Sequence, residues 1–209
     1  MNRAKSQFAV NLESARQLGV IYEAFEQDLT EAVPLDELLR AQIVLVVSAL
    51  DCYVHDIARI RMSSILSSMT SYPNAFLSLG VSMDFVIKLL QVSSAADTRM
   101  LFEQEVRRLH GFKTFQKARA ISEVMSLIGV QSLWDKVASE LGRSSSDVRT
   151  ELDLIVDRRN RIAHEGDVDP SAGWALKYPI DLASTRAATD FVESVVEAMH
   201  NTIIAESTP

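Results

Sequence analysis

Ten consecutive uncharged residues separate Arg40 from Asp51, and from Ile43 to Val47 every residue is apolar. The block sits in a segment with helical spacing. Pro34 stands at a helix start, with Asp36 and Glu37 where the first turn favours acidic groups, so a helix is predicted from about Leu35 to Ser68. A helix that is apolar all round belongs at the centre of a fold, with other elements wrapped around it. Ten residues are too few to cross a bilayer, and no membrane association is expected.

The rest of the chain offers partners of the same kind. Phe8, Leu12, Ala15, Leu18 and Tyr22 recur at helical spacing and predict a first helix ending near Leu29. From Met62 to Met83 there is no charge, but seven serines with Pro73, Asn74 and Gly80 mark a polar connector. Ser82 can cap a helix to about Leu90, Ser94 another to Leu109, and Thr114 a third ending at Gly129. Gln131 to Leu141 is helical and stops at Gly142. Ser146 opens a helix from Val148 to His164, which Gly166 and Pro170 close. Asp167 to Pro179 reads as irregular, and a last helix runs from about Leu182 to Ile204. No alternating strand, internal repeat or interdomain linker is visible. With only 7 glycines and 5 prolines in 209 residues, the fold class is all-α: one helical domain over residues 1–209, a bundle with a helical insertion at residues 72–142.

Charge and cysteine usage narrow the function. Lys+Arg 21 against Asp+Glu 28 gives a net charge of -7, so the whole surface does not attract polyanions. A single cysteine, Cys52, cannot form an intrachain disulfide and suits a reducing, cytoplasmic setting. His55, His110, His164 and His200 are scattered without zinc-ligand spacing. There is no glycine-rich phosphate loop, and no metal or cofactor is expected.

The helix Val148–His164 carries the chemistry. Val148, Leu152, Ile155, Val156, Ile162 and Ala163 form one apolar stripe, and Arg159 falls in its middle. A guanidinium stays charged, so Arg159 either meets a buried carboxylate or the stripe opens there onto a cleft or subunit interface. Asn160 and His164 lie four residues apart on one side, with Asp153 and Asp157 further back along it. A surface position, favoured by the helix dipole, suits Arg158 and Arg161 better than Arg159.

The hexamer Arg159-Asn160-Arg161-Ile162-Ala163-His164 resembles the motif of the HEPN superfamily: an arginine, a polar residue, a few more residues and a histidine. The segments Leu152–Arg158 and His164–Asp167 around it resemble the RiboL-PSP type of HEPN domain. So do Ala49–Asp56, Thr114–Lys117 and Leu133-Trp134 followed by Leu141-Gly142, and the resemblance spans residues 30–205. It implies a HEPN-like helical bundle that homodimerises and joins two such motifs at the subunit boundary. It also implies a metal-independent endoribonuclease in toxin, phage-defence or RNA-processing systems, although many relatives keep the fold as interaction modules. RNA is the expected substrate and DNA is not. An antitoxin or defence-system protein is the partner such systems imply.

The residue types suit that reaction. Cleavage without a metal uses the 2′-hydroxyl against the adjacent phosphate. It needs an acid and a base near neutrality, for which His164 serves, and positive charge on the phosphate, for which Arg159 serves. Asn160 orients His164 or holds the phosphate. Asp51, His55, Asp157 and Glu165 are candidate supporting groups. Asp51 and His55 are one turn apart, with Arg59 a turn further, and Asp51 is a partner for Arg159 or His55, or part of a structural ladder. From Val106 to Ser122 there is no acidic residue, while Arg107, Arg108, Lys113, Lys117 and Arg119 alternate with His110, Phe112 and Phe115. That run, with Arg158 and Arg161, is a candidate RNA-binding surface, or else a solvated helix face with buried phenylalanines.

Overall fold

A computed structural model describes residues 1–26, 34–68, 72–173 and 176–206. The described elements are α1 (Asn2–Glu26), α2 (Asp36–Ser68), α3 (Asn74–Leu77), α4 (Met83–Gln91), α5 (Ala95–His110), α6 (Ala118–Leu127), α7 (Leu133–Glu140), α8 (Ser145–Glu165) and α9 (Leu182–Ala205). Helices account for the secondary structure of these residues apart from one antiparallel bridge, Val168 to Lys177. The described residues form an all-α bundle, as expected. No helix among the described residues is long and apolar enough to cross a membrane. The expected end of the first helix near Leu29 lies outside the described residues.

α2 is the axis of the bundle. It packs against α1, α5, α6, α8 and α9, and Leu39, Ile43, Val46, Val47, Leu50, Val54 and Ile57 are buried along it. The all-apolar block is not covered on every side, because Leu45 remains 41% exposed. α1 lays Ala4, Phe8, Leu12 and Ala15 on α2, and α9 closes the other side with Val192, Val195, Val196, Met199 and Ile203. Gly19 permits the closest approach of α1: a Cβ there would lie 2.8 Å from the Gln42 amide oxygen.

Helix starts differ from expectation in three places. Residues 74–77 of the serine-rich connector form a short helix, α3. α8 is capped by Ser144, whose hydroxyl accepts from Asp147 N, two residues before the expected Ser146. Thr114 caps nothing in α6. That helix begins at Ala118, whose N–H donates to Asp153 Oδ1 of α8 at 2.8 Å. Its capping carboxylate thus comes from another helix, which sequence neighbours cannot reveal. Ser82 and Ser94 cap α4 and α5 as their positions predict.

Phe115 packs between His55 at 4.6 Å and His110 at 5.3 Å, centroid to centroid, and so ties the 111–117 segment to α2 and α5. Burial first, then the Lys113 and His55 charges, lower the His110 pKa from 6.5 to about 4. His110 is therefore neutral in the folded protein at a pH where it would be charged unfolded. The unfolded chain binds the extra proton, so stability falls as pH drops from about 6.5 to about 4. Burial also lowers the His200 pKa, so both imidazoles contribute in the same direction. Replacing His110 with Leu should flatten the acid limb of a denaturation-midpoint profile in that window. An unchanged limb would show that His110 does not carry it.

Candidate active site

The last two turns of α8 carry the motif. Val148, Leu152 and Val156 are buried; Ile155, Arg159 and Ile162 are half-buried, and Ala163 and His164 are exposed. The apolar stripe therefore rises out of the core as it reaches Arg159. Of the two alternatives for this residue, a buried carboxylate is not found among the described residues. Among the described residues, Arg159 Nη1 donates to Asn160 Oδ1 at 3.0 Å, and its Nε is buried without a partner. No ion pair engages it.

Its neighbour is placed quite differently. Arg158 Nη2 donates to Asp167 Oδ2 at 2.7 Å and to the carbonyls of Tyr178 and Pro179. The same Asp167 oxygen accepts from Arg40 Nε at 2.9 Å, and Arg40 also reaches the Tyr178 carbonyl. Asp167 is fully buried and Arg40 nearly so. Burial lowers the Arg158 pKa, and the Asp167 charge opposes that shift. Arg158, expected at the surface, is in this structure half-buried in a two-arginine clamp around one carboxylate.

Local backbone chemistry builds the clamp. Gly166 adopts the left-handed conformation (φ 64°), and its N–H and that of Asp167 both donate to the Arg161 carbonyl, ending α8 just past the motif. Asp167 is itself left-handed at φ 60°, a conformation that Asp tolerates better than most residues. The chain thereby folds its carboxylate back under α8 towards the start of α2. Tyr178 N donates to the Asp167 carbonyl, and the Tyr178 ring faces Arg158 at 5.4 Å and Arg161 at 4.9 Å. Arg161 has no ion pair among the described residues, and its Nε is buried without a partner.

The remaining candidates divide into those near the motif and those that hold the scaffold. Asp157 forms an ion pair with Lys117 at 2.6 Å one turn before Asn160 and Arg161. Glu165 is exposed at the end of α8. Asp51 does not meet Arg159: its two oxygens accept from Phe115 N at 2.7 Å and Gln116 Nε2 at 3.0 Å. His55 Nε2 is 3.7 Å from Asp51 and 3.2 Å from the Lys113 carbonyl, to which it donates. Arg59 is not part of a ladder with His55 but pairs with Asp56 and Glu103. Asp51 and Asp153 together pin the 114–118 segment between α2 and α8.

Three of the five cations of the basic run are paired with carboxylates outside it. Arg108 binds Glu105 twice, and those bonds, with one from Ser82 N, hold that buried carboxyl at about 2. Arg119 pairs with Glu123, and Lys117 with Asp157. Arg107 and Lys113 are exposed and pair with no carboxylate among the described residues. Sequence inspection did not single out Arg40 or Asp167 as a pair. The available signal was Arg40 at the edge of an apolar block, where a guanidinium needs an acceptor.

Residues 11–205 match the RiboL-PSP-HEPN family, and the chain belongs to it. Comparison with curated proteins and with solved structures finds no match.

The geometry makes Asp51 an anchor for the loop. Asp51→Ala leaves the Phe115 N–H and the Gln116 amide without their acceptor and should lower the unfolding free energy by about 1.5–3 kcal/mol, measured by urea denaturation. An Asp51→Ala protein as stable as the parent but inactive would assign Asp51 to the chemistry instead.

Proposed function

We propose that this chain is a metal-independent endoribonuclease, acting as a homodimer in a toxin or phage-defence system. The observation that carries the reading is the state of Arg159. Its guanidinium is half-buried, bonded to the adjacent Asn160 and matched by no carboxylate among the described residues, while Arg158 beside it is paired with Asp167. A guanidinium without a counter-ion is suited to bind a phosphate through paired N–H donors. His164, one turn beyond Asn160, is exposed where a substrate can reach it.

The chemistry follows from these groups. A base removes the proton of the ribose 2′-hydroxyl, and the 2′-oxygen attacks the adjacent phosphorus. Arg159 carries the charge that builds on the phosphorane oxygens, and an acid protonates the departing 5′-oxygen. The products are a 2′,3′-cyclic phosphate and a 5′-hydroxyl. One imidazole cannot hold a proton and lack it at once, so a two-fold arrangement supplies base and acid from the His164 of each chain. Two features support such pairing. Leu154 is 61% exposed two turns before Arg161 on the same side of α8, and Leu45 leaves the apolar block of α2 open.

Incubating the protein with labelled single-stranded RNA in EDTA tests the reading. Cleavage should persist and yield cyclic phosphate ends. It should disappear in both Arg159→Ala and His164→Ala, and specific activity should fall on dilution as dimers dissociate. Intact RNA across varied substrates would instead make the chain a HEPN interaction module.

A further inference from the structure

Residues His110 to Lys113 form a tight turn closed by Lys113 N donating to the His110 carbonyl at 2.9 Å. Gly111 occupies its first corner at φ -63° and ψ -15°. A Cβ there would lie 2.7 Å from the Arg107 carbonyl oxygen, so the tight exit from α5 needs glycine. Phe112 takes the second corner and is 80% exposed. Turn corners ordinarily carry Asn, Asp, Ser or Gly, whose side chains bond locally or lift steric limits. A large aromatic there does neither, and this one is not packed into the core.

The turn stands on a rigid base. Below it the Lys113 carbonyl accepts from His55, Phe115 is buried between His55 and His110, and Asp51 holds Phe115 N. In the chain around it, Arg107 and Lys113 are the cations of the run that pair with no carboxylate among the described residues, whereas Arg108, Lys117 and Arg119 are neutralised. An aromatic face held out from a fixed turn, with unpaired cations on either side of it in the chain, is the arrangement that stacks a base and tracks the flanking backbone.

We infer that Phe112 is a stacking platform for an unpaired base of single-stranded RNA, with Arg107 and Lys113 on the neighbouring phosphates. The inference rests on the ribonuclease reading and gives that site a second contact. Lys117, five residues on from Phe112 and thus within about 17 Å of chain, is paired to Asp157. Asp157 in turn precedes His164 by about 10 Å along α8. A strand seated on Phe112 therefore reaches the motif within a few nucleotides. Duplex RNA has no base free to stack there, so the platform selects unpaired regions near the cleavage point.

The test is fluorescence anisotropy with a labelled single-stranded 2′-O-methyl oligonucleotide, which has no 2′-hydroxyl and is not cleaved. Phe112→Ala should weaken binding roughly ten-fold, and Phe112→Trp should restore it, its new indole fluorescence quenched by the oligonucleotide. Joint reversal of Arg107 and Lys113 to Glu should flatten the dependence of log affinity on log salt. Equal affinity of the parent and Phe112→Ala, in a protein that still cleaves RNA, overturns this inference and leaves the ribonuclease reading standing. A Phe112→Ala protein with unchanged RNA affinity but altered mass in solution overturns it too, and makes the turn a protein interface. Failure of the parent protein both to bind the oligonucleotide and to cleave RNA overturns the two readings together.

Discussion

One buried carboxylate organises the end of the bundle where α8 meets the start of α2. Asp167 receives Arg40 from the start of α2 and Arg158 from the last turns of α8. It also sets the direction of the chain after α8 through its own left-handed backbone. A carboxylate removed from water demands compensation, and two guanidinium groups supply it by donating to Asp167 Oδ2, while the Tyr178 carbonyl accepts further bonds from the same two arginines. The clamp fixes the rotation of α8. With Arg158 turned under the helix towards Asp167, Arg159 falls on the side where the apolar stripe leaves the core.

That rotation separates two adjacent arginines of the same chemical type. Arg158 makes three bonds, one to a carboxylate and two to carbonyls; Arg159 has a neighbouring amide and a buried Nε without a partner among the described residues. Retaining an undersatisfied guanidinium costs stability unless something else requires it. The aromatic turn at Phe112 is a second place where local preference gives way, and it too sits on a base held by buried polar contacts. Both departures lie on elements joined through Asp51, Asp153 and Asp157.

Much of the fold was legible because it depends on local pattern. The apolar block of α2, the stripe of α9 and the serine caps of α4 and α5 each announce an element within a few residues. What the sequence hid was partnership across the fold. Thr114 looked like a cap, but the carboxylate that satisfies the start of α6 is Asp153, thirty-five residues beyond Ala118. Arg158 looked like a surface residue, because the aspartate that buries it follows a glycine in an apparently irregular stretch. The basic run looked like a continuous surface until Glu105, Glu123 and Asp157 were seen to neutralise three of its members. The motif itself was readable as a pattern of types, whereas the different surroundings of Arg158 and Arg159 depend on contacts made across the fold.

The most direct measurement compares Arg158→Ala with Arg159→Ala for melting temperature and RNA cleavage side by side. Removing Arg158 leaves buried charge around Asp167 less compensated and should lower the melting temperature by roughly 5 °C or more. Removing Arg159 deletes an unmatched group and should leave the melting temperature close to that of the parent while abolishing cleavage. A fully stable Arg158→Ala protein, or an Arg159→Ala protein that still cleaves at the parental rate, would contradict the division of labour between these two residues.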